Sequence, residues 1–187
     1  GGLEGAMRFL RNEIAISEPT RSWYERDGVI YLSVTSDGTT GDAWIKRLES
    51  KGFRPSDYAK SVLRSKDFKP TSGFVYQIAI LKGMLFEDRN RITKNIRADA
   101  EGRKLTTPNA EVACLIRENF SDEEIEAMGL IWIVTMHEPI NDSDGSPDLL
   151  RADRCGGGRW LSACYGEPGH RWNRGDGFAF VVSQAAL

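Results

Sequence analysis

The order of the predicted elements points to an α+β fold. A strand-forming run comes early, several helical patterns fill the middle, and strands crowd the end. No regular strand–helix alternation runs through the chain, and no internal repeat or composition break divides it. With 187 residues there is enough chain for one domain with a substantial core. The opening GGLEGA before Met7 reads as an expression remnant, residues 1–6, which leaves 7–187 as a single domain.

Each element has a local reason. Met7 to Asn12 shows no clear pattern, and Ile14, Ile16 and Pro19 suggest an extended segment. Asp27-Gly28 signals a turn before Val29 to Val34, whose β-branched and aromatic residues predict the first strand. Its nearly continuous apolarity predicts burial on both faces. After Ser36-Asp37-Gly38, Thr39 or Thr40 caps a helix with Ala43, Trp44, Ile45 and Leu48 inward, and Gly52 ends it. Ser56 caps a second helix with Tyr58, Ala59, Val62 and Leu63 on one side. Phe74 to Leu81 is a second strand, stopped by Gly83. Arg89 to Arg103 reads as a polar helix covering the sheet, with a thin stripe at Ile92, Ile96 and Ala100. Thr107-Pro108 starts the next helix, with Ala110, Ala113, Leu115 and Ile116 inward. Ser121 and Glu124 form a capping box for a short helix ending near Gly129. Leu130 to Met136 is a strand and Asn141 to Pro147 a loop.

Charge and composition exclude some functions. The net charge of −2 provides no field to draw the protein onto nucleic acid or an anionic membrane. No apolar run reaches membrane-spanning length, and no signal peptide is visible. The three cysteines, Cys114, Cys155 and Cys164, cannot form a closed disulfide set. Cys155 and Cys164 are placed to pair across two strands or equally to remain thiols, and free thiols are the reading taken. Catalytic signals are sparse. His137 follows a strand and reads as a strand-end residue, and no serine sits in a Gly-X-Ser-X-Gly elbow. Gly156-Gly157-Gly158 lacks the lysine and helix of a phosphate loop. Asp142-Ser143-Asp144-Gly145 starts like a calcium loop but has no terminal glutamate at the needed spacing, so it reads as a turn. No cofactor and no metal are expected.

The tail from Leu149 to Gln184 is unusual. Large apolar residues, Trp160, Trp172, Phe178 and Phe180, and the glycines Gly157, Gly158 and Gly177 form a frame. Small or polar residues of little packing value sit between them. From Leu149 onward every cation is arginine, and arginine beside tryptophan is binding-surface composition.

Three pieces, Gly157-Gly158-Arg159-Trp160, Arg171-Trp172-Asn173-Arg174 and Gly177-Phe178-Ala179-Phe180, resemble the C-terminus of C-type lectin folds of the formylglycine-generating-enzyme-like kind. More narrowly, the tail resembles the variable proteins of diversity-generating retroelements, in which asparagine-rich template positions are rewritten on a fixed lectin frame. Ser162, Cys164, Tyr165, Gly169 and His170 are residue types that such rewriting leaves. The resemblance implies a C-type lectin-like sheet of antiparallel strands, in which the N- and C-terminal strands pair and helices pack around. Ile30 to Val34 and Phe178 to Val182 suit that pairing. It also implies a variable region at about 149–177 and a ligand-binding protein, not an enzyme. The ligand-facing or variable positions are then Arg151, Asp153, Arg154, Cys155, Ser162, Cys164, Tyr165, Gly166, Glu167, Gly169, His170, Asn173 and Asp176. The expected partner is a protein or glycan, with no nucleic acid and no direct membrane insertion. Display on a cell surface or virion would follow from the family. Two alternatives stand beside it. One is a formylglycine-generating-like oxidase, although Cys155 and Cys164 are separated too widely for that pattern. The other is a calcium-dependent glycan lectin, whose motifs Glu167-Pro168-Gly169 and Trp172-Asn173 only approach.

Overall fold

Asp27 and Gly28 take φ of 52° and 75°, and these two left-handed residues make the tight hairpin on which the sheet begins. They join β1 (Trp23–Arg26), which the sequence reading missed, to β2 (Val29–Asp37). The structure is a computed structural model that describes residues 21–186. The expectations for 1–6, for Met7 to Asn12 and for the stretch around Ile14, Ile16 and Pro19 lie outside the described residues. The further strands are β3 (Arg54–Pro55), β4 (Ser72–Lys82), β5 (Trp132–Thr135), β6 (Ile140–Asn141), β7 (Pro147–Asp153), β8 (Trp160–Tyr165) and β9 (Asp176–Ala186). The helices are α1 (Gly41–Ser50), α2 (Asp57–Arg64), α3 (Thr93–Gly102), α4 (Glu111–Asn119) and α5 (Asp122–Ala127). This is an α+β chain built on one large sheet.

The sheet runs β1-β2-β4-β9-β5-β7-β8-β3, with β6 beside β7. Two expectations are corrected here. The first long strand does not pair with the last, because β4 lies between them: Ile30 faces Ile80, and Leu81 faces Phe178. The reason is burial. Residues Ile78 to Leu81 of β4 are apolar and at most 1% exposed, so this strand is suited to a place with neighbours on both edges and cover on both faces. Nor is the sheet wholly antiparallel, since β5 runs parallel to β9 and β3 parallel to β8.

Helices α1, α2, α4 and α5 cover one face. Trp44, Leu48, Val62, Val112 and Ile116 meet Ile30, Ile80, Leu150 and Leu161 in the larger core. The opposite face carries a smaller core of Val29, Leu81, Val134, Leu149, Phe178 and Phe180, closed by Ile96 and Ala100 of α3 and by Trp172. Strand β2 is therefore buried on both faces only at its start; Ser33 and Thr35 are exposed further along.

Helix ends mostly follow local chemistry. The Thr40 side chain caps α1, Ser56 caps α2, and Ser121 with Glu124 forms the capping box of α5. The α1 stripe runs through Gly41, Trp44, Ile45 and Leu48, so Ala43 is exposed, contrary to expectation. Tyr58 is also exposed and donates its hydroxyl to Asp144, 2.7 Å away. Helix α4 starts later than Thr107-Pro108, where the Asn109 side chain accepts the Glu111 N–H at 2.9 Å. Helix α3 also starts later than expected, and its first turn is closed from outside. The Thr93 N–H reaches the His170 carbonyl at 3.1 Å and the Lys94 N–H reaches that of Pro168 at 2.9 Å.

Burial at the centre of β9 leads to the first prediction. A methyl group added at Gly177 would lie 2.7 Å from both Ile80 and Leu130, so Gly177→Ala should cost about 1–3 kcal/mol through overpacking. Phe178 is wholly buried, and Phe178→Ala should cost about 3–5 kcal/mol. Urea denaturation of both variants against the parent measures this.

Candidate functional site

The tail residues are placed by the pairing of five strands. Directly opposed residues share a face of a pleated sheet. Register sets Arg54, Trp160, Asp153, Trp132 and Asp176 in one row, from β3 across β8, β7 and β5 to β9. The next row holds Ser162, Arg151, Val134 and Phe178. Beyond it Cys164 faces Leu149. Val134, Leu149 and Phe178 belong to the smaller core, so the polar ends of both rows continue that face past its apolar part. Trp160, Ser162 and Cys164 thus share one side of β8, while Leu161 is buried in the larger core on the other. At the strand end Tyr165 is exposed, its ring nearly parallel to that of His170 with centroids 6.4 Å apart.

Arg151 is the centre of the face. Its guanidinium lies 3.6 Å from the Trp132 ring centroid and 3.1 Å from a carboxylate oxygen of Asp153. Asp153 accepts the Cys155 N–H at 2.7 Å and the Ser162 hydroxyl at 3.4 Å. Asp176 accepts the Asn173 N–H at 2.8 Å. Burial pushes the Asp176 carboxyl up to about 6, against the pull of the Asn173 N–H and of Arg151 and Arg91. His170 packs edge-on against Trp172 at 4.5 Å, and burial, aided by Arg151, lowers its pKa. Burial raises the Cys164 thiol to about 12, which disfavours its thiolate, and it donates to the Leu149 carbonyl.

The β7–β8 turn is shaped by its backbone conformation and by contacts with the helices. Gly156, Gly157, Gly158 and Arg159 have φ of 59°, 88°, 73° and 64°, a continuous left-handed run. A side chain at Gly158 would collide with Asp122, which also accepts the Arg159 N–H at 2.8 Å. Asp122 in turn meets the fully buried Arg117, whose guanidinium reaches the Phe120 carbonyl at 2.8 Å and lies near those of Asp153 and Trp160.

The residues expected at the ligand face divide into groups. Arg151, Ser162, Cys164 and His170 are part-exposed around the two rows, with Cys155, Tyr165, Glu167, Gly169 and Asn173 exposed at the rim. Arg154 turns back, donating to the Leu130 carbonyl at 2.7 Å. Three positions are corrected from exchangeable surface to structure. Asp153 and Asp176 are 6% and 1% exposed and accept backbone N–H groups. Gly166 is buried and tightly enclosed, since a methyl group would lie 3.0 Å from Leu149 and 3.1 Å from Pro139 and would press both aside. Among the frame residues Trp172, Phe178 and Phe180 are buried, Gly157 and Gly158 take left-handed φ, and Gly177 fits against Ile80. Trp160 is only half-buried; its indole N–H bonds to the Gly156 carbonyl and Arg54 lies over its ring.

Sequence reasoning missed Trp132 and Arg54 on the face, and Arg117 and Asp122 beneath it. Alternation along Leu130 to Met136 was the available signal for Trp132; nothing local marks the others.

Other candidates resolve into structural roles. Both ring nitrogens of His137 are taken by backbone: Nε2 accepts the Leu150 N–H at 3.0 Å, and Nδ1 lies 2.7 Å from the Glu138 carbonyl, which requires the proton on Nδ1. Burial lowers its pKa to about 4, so it is neutral. Asp142 accepts the N–H groups of Asp144 and Ser146 and shapes its loop as an ordinary turn. The three cysteines are free. Four steps of extended strand run from Trp160, where the turn after Cys155 ends, to Cys164, roughly 13 Å. Among the described residues no three His, Cys, Asp or Glu side chains are grouped to hold a metal. No protein-family model matches the chain, and neither a curated protein nor a solved structure matches it.

This division gives a second prediction. Trp172→Ala should cost about 3–5 kcal/mol, because the ring is 4% exposed against Phe178 and donates to Thr93. Gly169→Asp, with nothing within 4 Å of the added atom, should stay within about 0.5 kcal/mol of the parent. Gly166→Asp should destabilise strongly. Thermal melts of the three variants decide whether this boundary is drawn in the right place.

Proposed function

We propose that this chain is a ligand-binding protein that recognises its partner through the Arg151–Trp132 face without doing chemistry on it. The observation that carries the reading is the convergence of part-exposed tail residues on one side of adjacent strands, beside a core built from larger side chains. Ser162, Cys164, His170 and Asn173 lie on or beside a face whose fold is held by Trp172, Phe178 and Phe180. Exchanging such side chains costs little folding free energy and changes what is bound. The tail motifs support a C-type lectin-like frame, and the residue types between them support diversification by a retroelement.

The physics of recognition would be that of a protein or glycan interface. Arginine, tryptophan and tyrosine supply contact area with few rotamers to freeze, and they dominate binding hot spots. Arg151 is already stacked on Trp132 and braced by Asp153, so less entropy is lost when a partner arrives. A groove beside the face, lined by Thr93, Arg97, Pro139 and Pro168, extends the available contact surface.

The deciding experiment is genomic. A near-copy of the coding sequence for about 149–177 should lie beside a reverse-transcriptase gene and differ from it only at template adenines. Differences should fall on codons for exposed positions such as Ser162 and His170 and spare those for Trp172 and Phe178. A neighbourhood with no such copy would remove the retroelement part of the proposal. Copper-dependent oxidation of a thiol peptide by the purified protein would remove recognition without chemistry.

A further inference from the structure

The side of the sheet that carries the Arg151 face is also open at its far corner. Register sets Tyr24, Tyr31, Ala79 and Phe180 in one row across β1, β2, β4 and β9, and Ser33, Gln77 and Ser183 in the next. Tyr31 still packs on the smaller core, but Ser33, Gln77 and Ser183 are exposed. A cleft of about 450 Å³ lies over this corner, with Tyr24, Tyr31, Val182 and the three polar residues among its walls. Two features set it apart from an ordinary solvated sheet. Tyr24 stands 56% exposed with its ring nearly parallel to that of Tyr31, centroids 5.1 Å apart. The register slips between Gln77 and Ile78, which leaves Val182 without a partner on β4 and exposed beside the cleft. Bulges of this kind re-aim side chains and are over-represented next to active sites.

We propose that this cleft binds a neutral oligosaccharide. The chemistry of its walls selects that class. Among the described residues that line it, Arg21 alone is charged, so a polyanion or a strongly basic peptide meets no set of counter-charges. A sugar ring has an apolar C–H face and a rim of hydroxyls. The C–H face suits the exposed Tyr24 ring, and Val182 adds apolar contact beside it. The hydroxyls suit the Gln77 amide and the Ser33 and Ser183 hydroxyls, which both donate and accept hydrogen bonds. Gln77 is lightly committed within the protein, giving one 3.4 Å bond from Nε2 to Ser33. The volume lies within the range of small-molecule sites, about 300–1,000 Å³.

The cleft shares no residue with the Arg151 face, yet both open on the same side of the sheet. A partner surface that carries glycan is then gripped at one and read at the other, and two weak contacts on one partner hold more tightly than either alone. That joint use rests on reading the Arg151 face as a ligand site; sugar binding at the cleft does not. Tyr24, Tyr31, Ser33, Gln77, Val182 and Ser183 all lie outside 149–177, so the preference of the cleft stays constant while the Arg151 face changes.

The purified chain is probed, with a chelator present, on an array of neutral and acidic oligosaccharides and with a single-stranded oligouridylate. Neutral glycans should be retained in preference to acidic glycans and to RNA. Adding the best-retained neutral glycan should shift the NMR signals of the Tyr24 ring and the Gln77 side-chain amide most. Tyr24→Ala and Gln77→Ala should each weaken binding about tenfold, whereas Tyr24→Phe should keep it, because the ring remains. The proposal is overturned if no neutral glycan is retained, if an acidic glycan or the RNA is preferred, or if the shifts fall on Trp132 and Arg151 instead of the cleft. The shifts are read on the parent protein, so they decide the matter even if a variant fails to fold. None of these readings involves the template copy beside the reverse-transcriptase gene, so failure here and failure of the Arg151 reading are distinguishable.

Discussion

Strand β9 is the seam of the molecule. On one side lie β1, β2 and β4, all from the first half of the chain; on the other lie β5, β7, β8 and the two-residue β3. Among the described residues, hydrogen bonding across the sheet passes from one group to the other through β9, which runs antiparallel to β4 and parallel to β5. A strand in that place needs side chains that are apolar towards both cores. Phe178 and Phe180 fill the smaller core, and Ala179 and Val181 fill the larger. The glycine before them lets Ile80 and Leu130 close over the strand. Placement of the candidate face follows from this seam, since Asp176 enters the face at the start of the same strand that unites the sheet.

From the seam an aromatic chain leads outward. Phe86 packs edge-on against Phe178, Phe178 against Trp172, and Trp172 against His170, whose ring lies beside Tyr165 at the surface. From the fully buried Phe178 through Trp172 and His170 to Tyr165, each contact moves a step towards solvent. Phe178 and Trp172 are buried, while Tyr165 is exposed. Identity matters progressively less along this series, and that gradient gives physical content to the difference between frame and face.

What the sequence shows well here is what depends on near neighbours. Thr40, Ser56 and the Ser121–Glu124 pair cap the helices they were expected to cap, because a cap is decided within four residues. The lateral order of strands is decided across the whole chain. β2 and β9 suit each other in length and residue type, yet β4 has greater burial on both faces and lies between them. The face has the same limit. Its β7 and β8 residues could be read from one continuous tail, but Arg54 arrives from β3 and Trp132 from β5, brought in by register alone. Arg117 looks like a surface residue in a helical pattern, and only its carbonyl partners show why it is inside. Asp153, Gly166 and Asp176 are small or polar and read as replaceable; their backbone contacts and close neighbours make them structural.

The docking of the 166–175 loop on α3 has a consequence for inheritance. The carbonyls of Pro168 and His170 close the first turn of that helix, and the Trp172 N–H bonds to the Arg91 carbonyl. Peptide groups are the same whatever codon specifies the residue. A loop fastened through them is held by atoms that a missense change at His170 or Gly169 leaves in place, short of proline. Neighbouring codons can then drift or be rewritten while the loop keeps its seat. Between the fixed points Gly166 and Trp172, whose own side-chain sizes matter, the attachment at positions 169 and 170 is written in atoms that every residue shares.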